Sequence, residues 1–236
     1  MCGSCGCGDP EIVPLDVHEK ILAGNDRTAA HNREHFAEQG LLAVNLMGSP
    51  GSGKTALLEA TARALGRGRL GALAGDLATD NDAQRLRAAG VRALSINTGS
   101  ACHLDAAMVH HALHDYPLAG LDYLFIENVG NLVCPAVYDL GQAINVVALS
   151  LTEGEDKPLK YPVMFRKADL VVLTKVDLLP YLPHVRLDVL HDALARVMPT
   201  PRVLLLSATM GVGVTDWLDW LGQARRTVEV KAHAEA

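Results

Sequence analysis

The sequence predicts a doubly wound α/β protein built on a mostly parallel sheet of about seven strands. Short apolar runs recur between residues 41 and 206, and each is followed by a turn and a stretch of helical character. The runs are continuous rather than alternating, which is typical of strands buried on both faces of a parallel sheet. Strand–helix alternation then favours helices on both faces and ligand binding at the carboxyl ends of the strands.

The predicted elements follow in chain order. Residues 1–10, MCGSCGCGDP, are too rich in Gly and Cys to form a core and predict a flexible tail. Residues 11–40 predict a helical lead-in of one or two helices, with a break at Gly24 and Asn25. The main domain is expected over 41–236, with strands at 41–47, 70–74, 93–96, 121–126, 144–151, 170–173 and 203–206. Helices are expected at 55–65, 80–89, 103–115, 185–197 and 214–225.

Composition narrows the class of protein. The net charge of −6 argues against a nucleic-acid or anionic-membrane partner, because both need concentrated Lys and Arg. No apolar run approaches the roughly 20 residues that span a bilayer, and the N-terminus lacks the pattern of a signal peptide. We therefore expect a cytoplasmic, reducing location. Five cysteines, an odd number, then indicate metal binding or catalysis rather than disulfides.

A phosphate-binding loop is the firmest functional prediction. The segment GSPGSGKT matches G-x-x-x-x-G-K-[ST], follows an apolar run and opens a helical stretch, as the motif requires. Backbone N–H groups of such a loop converge on phosphate oxygens at a helix N-terminus. Lys54 is expected to reach the β- and γ-phosphates, and Thr55 to bind Mg²⁺. The expected nucleotide contacts here are Gly48, Ser49, Pro50, Gly51, Ser52, Gly53, Lys54, Thr55 and Ala56.

Two later loops are candidates for binding a guanine base. Thr174-Lys175-Val176-Asp177 resembles the N-K-x-D motif of GTPases, with Thr in place of Asn. The Asp177 carboxylate can accept from guanine N1–H and N2–H₂, whereas adenine would leave it unpaired, and such a mismatch is costly. The aliphatic stem of Lys175 can lie along the base. Ser207 and Ala208 begin a loop similar to the S-A-x loop that completes a guanine pocket. An ordinary strand-end turn is the alternative interpretation.

Two strand ends are candidates for the Mg²⁺ ion and the γ-phosphate. Glu127-Asn128-Val129-Gly130 resembles the D-x-x-G of GTPases, so Glu127 would contact Mg²⁺ or its water and the N–H of Gly130 the γ-phosphate. Asp76 ends another buried strand and is also expected to reach Mg²⁺. Asp80 fits a helix N-cap as well as a catalytic role. Lys54, Thr55, Asp76 and Glu127 are thus the candidate catalytic residues, and without a diagnostic Arg the expected hydrolysis of GTP is slow.

Metal binding is predicted at two places. Cys2, Cys5 and Cys7 can wrap one soft or borderline ion, of which Ni²⁺ is favoured. A redox C-x-x-C and an iron–sulfur ligand set are the alternatives. Cys102 and His103 follow one strand, and Cys134 follows Gly130, so these three can meet at one sheet edge and suit Ni²⁺ or Zn²⁺. The alternative there is that each Cys is a small buried hydrophobe.

The histidines that follow Cys102 and His103 carry less information. His110 and His114 share a helical face, but no third ligand is evident in the sequence. We therefore interpret His110, His111 and His114 as exposed helix residues.

Together these motifs resemble the HypB family, the GTPases that incorporate nickel into hydrogenases. The resemblance covers nearly the whole chain: the tail cysteines, GSPGSGKT, GDLATDNDA, TGSACHLDA, ENVGNLVCPA, TKVDLLPY and SATMGVG. It implies a P-loop GTPase domain over 41–236, GTP-dependent homodimerisation, cooperation with a second metallochaperone and delivery of nickel to the hydrogenase large-subunit precursor. GTP, Mg²⁺, Ni²⁺ and Zn²⁺ are the implied cofactors. Urease and cobalamin accessory GTPases, a passive metal-buffering protein and a P-loop kinase stay as alternatives.

Overall fold

The computed structural model describes residues 15–66 and 68–235, and the side chains of 22–66 and 68–230. Its centre is one seven-stranded sheet in the order β3-β2-β4-β1-β5-β6-β7. Every neighbouring pair of strands is parallel, which confirms the predicted fold class. The strands are β1 (Leu42–Met47), β2 (Leu70–Asp76), β3 (Arg92–Asn97), β4 (Tyr123–Glu127), β5 (Ile144–Ser150), β6 (Leu170–Thr174) and β7 (Val203–Leu206). The predicted tail at 1–10 lies outside the described residues.

Helices connect the strands and cover the sheet. They are α1 (Leu15–Glu38), α2 (Lys54–Leu65), α3 (Asn81–Ala88), α4 (Ala106–His114), α5 (Lys157–Lys160), α6 (Pro162–Arg166), α7 (Leu187–Val197) and α8 (Val214–Glu235). Apolar residues of the central strands are almost fully buried, as the continuous runs predicted. Within the described part of the chain, no helix combines the length and apolarity needed to span a membrane.

The predicted break in the lead-in is wrong, because α1 runs through Gly24 and Asn25 without interruption. The Asn25 amide donates to the Asp139 carbonyl at 2.8 Å and its Oδ1 accepts from Ala106 N at 2.9 Å. These tertiary bonds hold the helix against the main domain. They outweigh the roughly 1 kcal/mol by which Gly disfavours a helix interior.

Two other helix boundaries differ from the expectation. Helix α4 begins at Ala106 rather than 103, because Asp105 is its N-cap and accepts from Met108 N at 2.8 Å. Helix α8 continues past 225 to Glu235. Its Trp217 is fully buried and donates to Thr61 Oγ1 at 2.8 Å, which attaches α8 to α2.

Strand order places the predicted motifs together. Strand β4 lies between β1 and β2, with Glu127 level with Leu46 on one side and Ala74 on the other. The loops that follow β1, β2 and β4 therefore leave the same edge of the sheet. This edge is where an open parallel sheet binds its ligands.

Candidate functional site

The phosphate loop connects β1 to α2 and depends on its glycines. Gly48, Gly51 and Gly53 have positive φ angles of 149°, 74° and 94°. At Gly48, a Cβ would lie 2.4 Å from the Ala148 carbonyl oxygen, so no larger residue fits. The tight path ends at the N-terminus of α2, where free backbone N–H groups and the helix dipole favour an anion.

Lys54 is buried at this loop. Its Nζ donates to the carbonyls of Gly48 at 3.2 Å and Ser49 at 3.1 Å. Burial lowers the pKa of Lys54, and the nearby carboxylates of Glu127 and Asp82 oppose that shift. An ammonium held at the mouth of a phosphate loop is suited to a phosphate, which would give it a charged hydrogen-bond partner.

Three oxygen-bearing side chains meet beside the loop. Thr55 Oγ1 lies 2.9 Å from Asp82 Oδ1 and 2.8 Å from Glu127 Oε1. The hydroxyl has one proton and can donate to one carboxylate at a time. Glu127 is buried, which raises its pKa to about 7 against the opposing charge of Lys54. Its Oε2 has no hydrogen-bond partner among the described residues.

This donor set fits Mg²⁺. The ion prefers carboxylate, hydroxyl and water oxygens, and it would supply a partner for the unpaired Glu127 oxygen. Asp82, in the first turn of α3, was not among the residues that the sequence predicted for this site. The acidic run Asp76, Asp80 and Asp82 was the available signal.

Asp76 and Asp80 are placed differently from Asp82. Asp76 lines the same cavity of about 450 Å³ as Thr55 and Glu127. Its carboxylate accepts from Ala78 N at 3.0 Å and from Thr79 N at 3.1 Å, and these bonds lower its pKa. Asp80 occupies the N-cap position of α3 without a capping hydrogen bond, because its carboxylate pairs with Arg87 at 2.8 Å.

The candidate base pocket opens on the other side of Gly53 and Ala56. Thr174 is buried and donates to the Ser52 carbonyl at 2.6 Å, and Lys175 Nζ donates to the Gly51 carbonyl at 2.8 Å. This cavity of about 250 Å³ is lined by Gly53, Ala56, Thr174, Lys175, Asp177, Leu178, Ala208 and Thr209. Ser207 is fully buried, and its hydroxyl accepts from Met210 N at 3.1 Å, which shapes the loop.

Cys102, His103 and Cys134 lie together, as their positions at the sheet edge predicted. Their ligand atoms all lie within 4.8 Å of one another, and both thiols are free. The two Sγ atoms are 3.1 Å apart, and Cys102 Sγ is 3.9 Å from His103 Nδ1. The side chain of His103 stacks on the Tyr138 ring, with 4.0 Å between centroids.

The protonation of this trio affects how it can bind a metal. The hydrogen bond with Cys102, together with burial, raises the pKa of the Cys134 thiol, so a bound cation would displace the proton of this thiol. Burial lowers the pKa of His103 and favours the neutral imidazole that binds metals. Cys2, Cys5 and Cys7 lie outside the described residues.

Short contacts connect the two halves of the site. Asn131 N donates to the Gly48 carbonyl of the phosphate loop at 3.1 Å, and Asn131 lies three residues before Cys134. At Gly130, a Cβ would lie 2.9 Å from Pro50 N, so only glycine allows this approach. Asn128 Oδ1 accepts from Leu104 N at 3.1 Å, next to His103. Residues 128–134 therefore contact both the phosphate loop and the loop with Cys102 and His103.

Comparison with known proteins identifies the family. Residues 42–204 match the model of the nucleotide-binding domain described as CobW/HypB/UreG. The chain belongs to the CobW/HypB/UreG family. Within it, the chain is 52% identical over 214 residues to the hydrogenase maturation factor HypB of Azotobacter vinelandii, covering 90% of this chain and 70% of that protein.

Other HypB proteins give the same result. Identity is 49% to the hydrogenase maturation factor HypB of Escherichia coli K12, over 89% of this chain and 73% of that protein. A crystal structure of HypB from Helicobacter pylori in complex with nickel superposes with a TM-score of 0.82 at 40% identity, covering 86% of this chain and 96% of that one. HypB from Archaeoglobus fulgidus gives 0.79 at 40% identity, over 86% and 100% of the two chains. The predicted HypB resemblance and P-loop fold are confirmed.

Proposed function

We propose that this HypB-family chain is a GTP-hydrolysing metallochaperone that delivers nickel for maturation of the [NiFe]-hydrogenase large subunit. Its nucleotide state gates metal transfer and dimerisation. The protein acts in the cytoplasm together with a second metallochaperone and the large-subunit precursor. Support for nickel and hydrogenase comes from the relatives, since several are hydrogenase maturation factors and one was crystallised with nickel.

The observation that carries the gating proposal is the direct contact between the nucleotide loop and the metal-ligand loops. Gly48 and Asn131 share a backbone hydrogen bond, and Gly130 abuts Pro50. If the N–H of Gly130 binds the γ-phosphate, loss of that phosphate shifts residues 128–134 and with them Cys134. The metal ligands then have a different geometry in the GTP and GDP states, and metal affinity differs between the two.

The proposed roles follow from position and chemistry. Lys54 binds the β- and γ-phosphates, and Asp177 reads the guanine base in the pocket behind Gly53. Thr55 and Glu127 hold Mg²⁺, with Asp82 as a further oxygen donor and Asp76 at the rim of the same cavity. The ion supplies positive charge next to the phosphates. Intrinsic turnover is slow.

The cysteines carry the cargo. Cys2, Cys5 and Cys7 bind nickel in the tail, and Cys102, His103 and Cys134 bind nickel or zinc in the main domain. Thiolates and imidazole are the ligands that these borderline ions prefer, in contrast to the oxygen donors beside the phosphate loop. GTP favours a homodimer, and the homodimer transfers its bound metal to the large-subunit precursor.

A nickel-transfer assay tests the proposal. The full chain is loaded with Ni²⁺ and mixed with nickel-free hydrogenase large-subunit precursor, with GTP, with GDP or with a non-hydrolysable GTP analogue. We expect transfer to depend on the nucleotide and Cys134→Ala to abolish the nucleotide dependence. The control variant Cys134→Ser tests whether an oxygen ligand at this position is enough for nucleotide-dependent transfer. A parallel experiment with nickel-free urease tests the alternative acceptor. Equal transfer in all nucleotide states, or no GTP turnover, would support a passive metal buffer instead.

A further inference from the structure

A cluster of histidines lies between α1 and α4, apart from the cysteine site. His110 and His114 on α4 face His31 and His35 of α1, and together with Leu113 they line an open pocket of about 280 Å³. The ring centroids are 5.1 Å apart for His31 and His110, and 5.0 Å apart for His110 and His114. The expectation that His110 is merely an exposed helix residue is therefore wrong, whereas His111 and His114 are exposed.

The spacing of each pair follows from helix geometry. His31 and His35, like His110 and His114, are four residues apart, so each pair stands on one face of its helix. Because α1 packs along α4, the two pairs meet across the helix interface. Four imidazoles from two helices thus line one cavity, although the two pairs lie far apart in sequence.

A buried asparagine fixes the tautomer of the central histidine. Asn32 is fully buried, and its amide nitrogen donates to the carbonyls of Ala106 at 3.0 Å and Leu140 at 3.2 Å. Its Oδ1 must then act as acceptor for His110 Nδ1, which lies at 3.1 Å. His110 consequently carries its proton on Nδ1 and leaves the Nε2 lone pair free.

This arrangement is the one that metal-binding histidines use. A ligating His almost always donates its other ring N–H to a protein oxygen, which sets the tautomer and the ring orientation. Burial and the neighbouring histidines lower the pKa of His110 and favour its neutral, metal-binding form.

The ring separations also fit a shared ion. An imidazole nitrogen binds zinc at about 2.0–2.1 Å, which sets two ring centres on one tetrahedral ion about 5 Å apart. Among the described residues, the ligand atoms of the cysteine trio are the ones that already lie within 4.8 Å of one another. The histidine nitrogens are not all this close together, so binding of one ion would require side-chain rotations into the open pocket.

We propose that His31, His110 and His114, with His35 as a fourth donor, bind one borderline divalent ion of the Zn²⁺ or Ni²⁺ class at the α1–α4 interface. Imidazole-only sites suit these ions, whereas Mg²⁺ requires oxygen donors. The site is independent of the thiols at Cys102 and Cys134. It goes beyond the proposed function, because metal binding here requires neither GTP nor a hydrogenase acceptor.

The test counts zinc bound to the reduced full chain by equilibrium dialysis. The double variant His31→Ala/His110→Ala removes two proposed ligands, and His111→Ala/His184→Ala removes two exposed histidines that do not line the pocket. We expect the first variant to bind one zinc equivalent fewer than the wild type and the control pair to match the wild type. When cobalt replaces zinc, the His31→Ala/His110→Ala variant should lack one absorption component that the wild type shows. This component should carry no thiolate charge-transfer bands.

Equal zinc counts in all three proteins would overturn the proposal. An equal loss in both double variants would overturn it too, because that result indicates scattered surface histidines. NMR of the wild-type protein tests the same site without substitutions, so the proposal can be tested even if a variant does not fold. Before zinc is added, His110 should carry its proton on Nδ1, and zinc should shift the Nε2 signals of His31, His110 and His114 but not that of His111. Unshifted imidazole nitrogens would contradict the site.

Discussion

Glu127→Gln should remove a pH dependence from the stability of the metal-free protein. Glu127 is 3% exposed, and burial raises its pKa from 4.5 to about 7. The folded state therefore holds a proton that the unfolded state releases between these two values. The free energy of unfolding is greatest below the unfolded pKa and falls as pH rises through the folded pKa.

The size of the effect follows from the shift. Each pKa unit is worth about 1.4 kcal/mol. The titration of Glu127 should therefore lower the free energy of unfolding of the wild type by about 2–3 kcal/mol between about pH 5 and pH 8. Gln keeps the shape and an acceptor oxygen for Thr55 but does not titrate. The difference in stability between wild type and variant should therefore change by that amount and level off above about pH 8.

Urea unfolding in the presence of EDTA, repeated across the pH range, measures this difference. Glu34→Gln on the exposed face of α1 is the matched control and should show no such change. A difference between wild type and Glu127→Gln that is the same at every pH would mean that folding does not raise the pKa of Glu127. Such a result would refute a protonated Glu127 beside Thr55 in the metal-free protein.

Three further substitutions test separate parts of the site. Lys54→Ala removes a charged contact to phosphate worth about 1.5–3 kcal/mol per hydrogen bond, so nucleotide affinity measured by calorimetry should fall about 100-fold. The exposed control Lys160→Ala should have no effect, and unchanged affinity in Lys54→Ala would exclude Lys54 from phosphate binding. Asp177→Asn should turn preference for GTP into acceptance of XTP in competition binding, and retained selectivity for GTP would mean that another group reads the base. Serine substitution of the tail cysteines should remove one nickel equivalent by mass spectrometry and leave GTP turnover intact, and an unchanged nickel count would refute a tail site at Cys2, Cys5 and Cys7.

The sequence predicted those features whose signal is local. Continuous apolar runs predicted all seven strands, and GSPGSGKT predicted the phosphate loop. Both signals are local, because glycine conformations and helix starts depend on neighbouring residues. Cys102, His103 and Cys134 were also predictable, since parallel strands end at one edge of the sheet and position alone brought their loops together.

The features that were missed depend on contacts between distant segments. Gly24 looks like a helix break, and only the bonds of Asn25 to the main domain show why the helix continues. Asp82 approaches Thr55 through the packing of α3 on α2, 27 positions apart in sequence. The histidine cluster joins α1 to α4, where His110 and Asn32 are 78 positions apart, so no third ligand was visible near His110.

In the proposed mechanism, nucleotide state and metal affinity are coupled through residues 128–134. The most direct test titrates Ni²⁺ into the full chain with serine at Cys2, Cys5 and Cys7, once with GDP and once with a non-hydrolysable GTP analogue. Thiolate-to-nickel absorption reports the site at Cys102 and Cys134 without interference from histidines. A coupling free energy of about 1–3 kcal/mol predicts affinities that differ about 5- to 150-fold, and nickel must change GTP-analogue affinity by the same factor. Equal nickel affinities in the two nucleotide states would contradict the account.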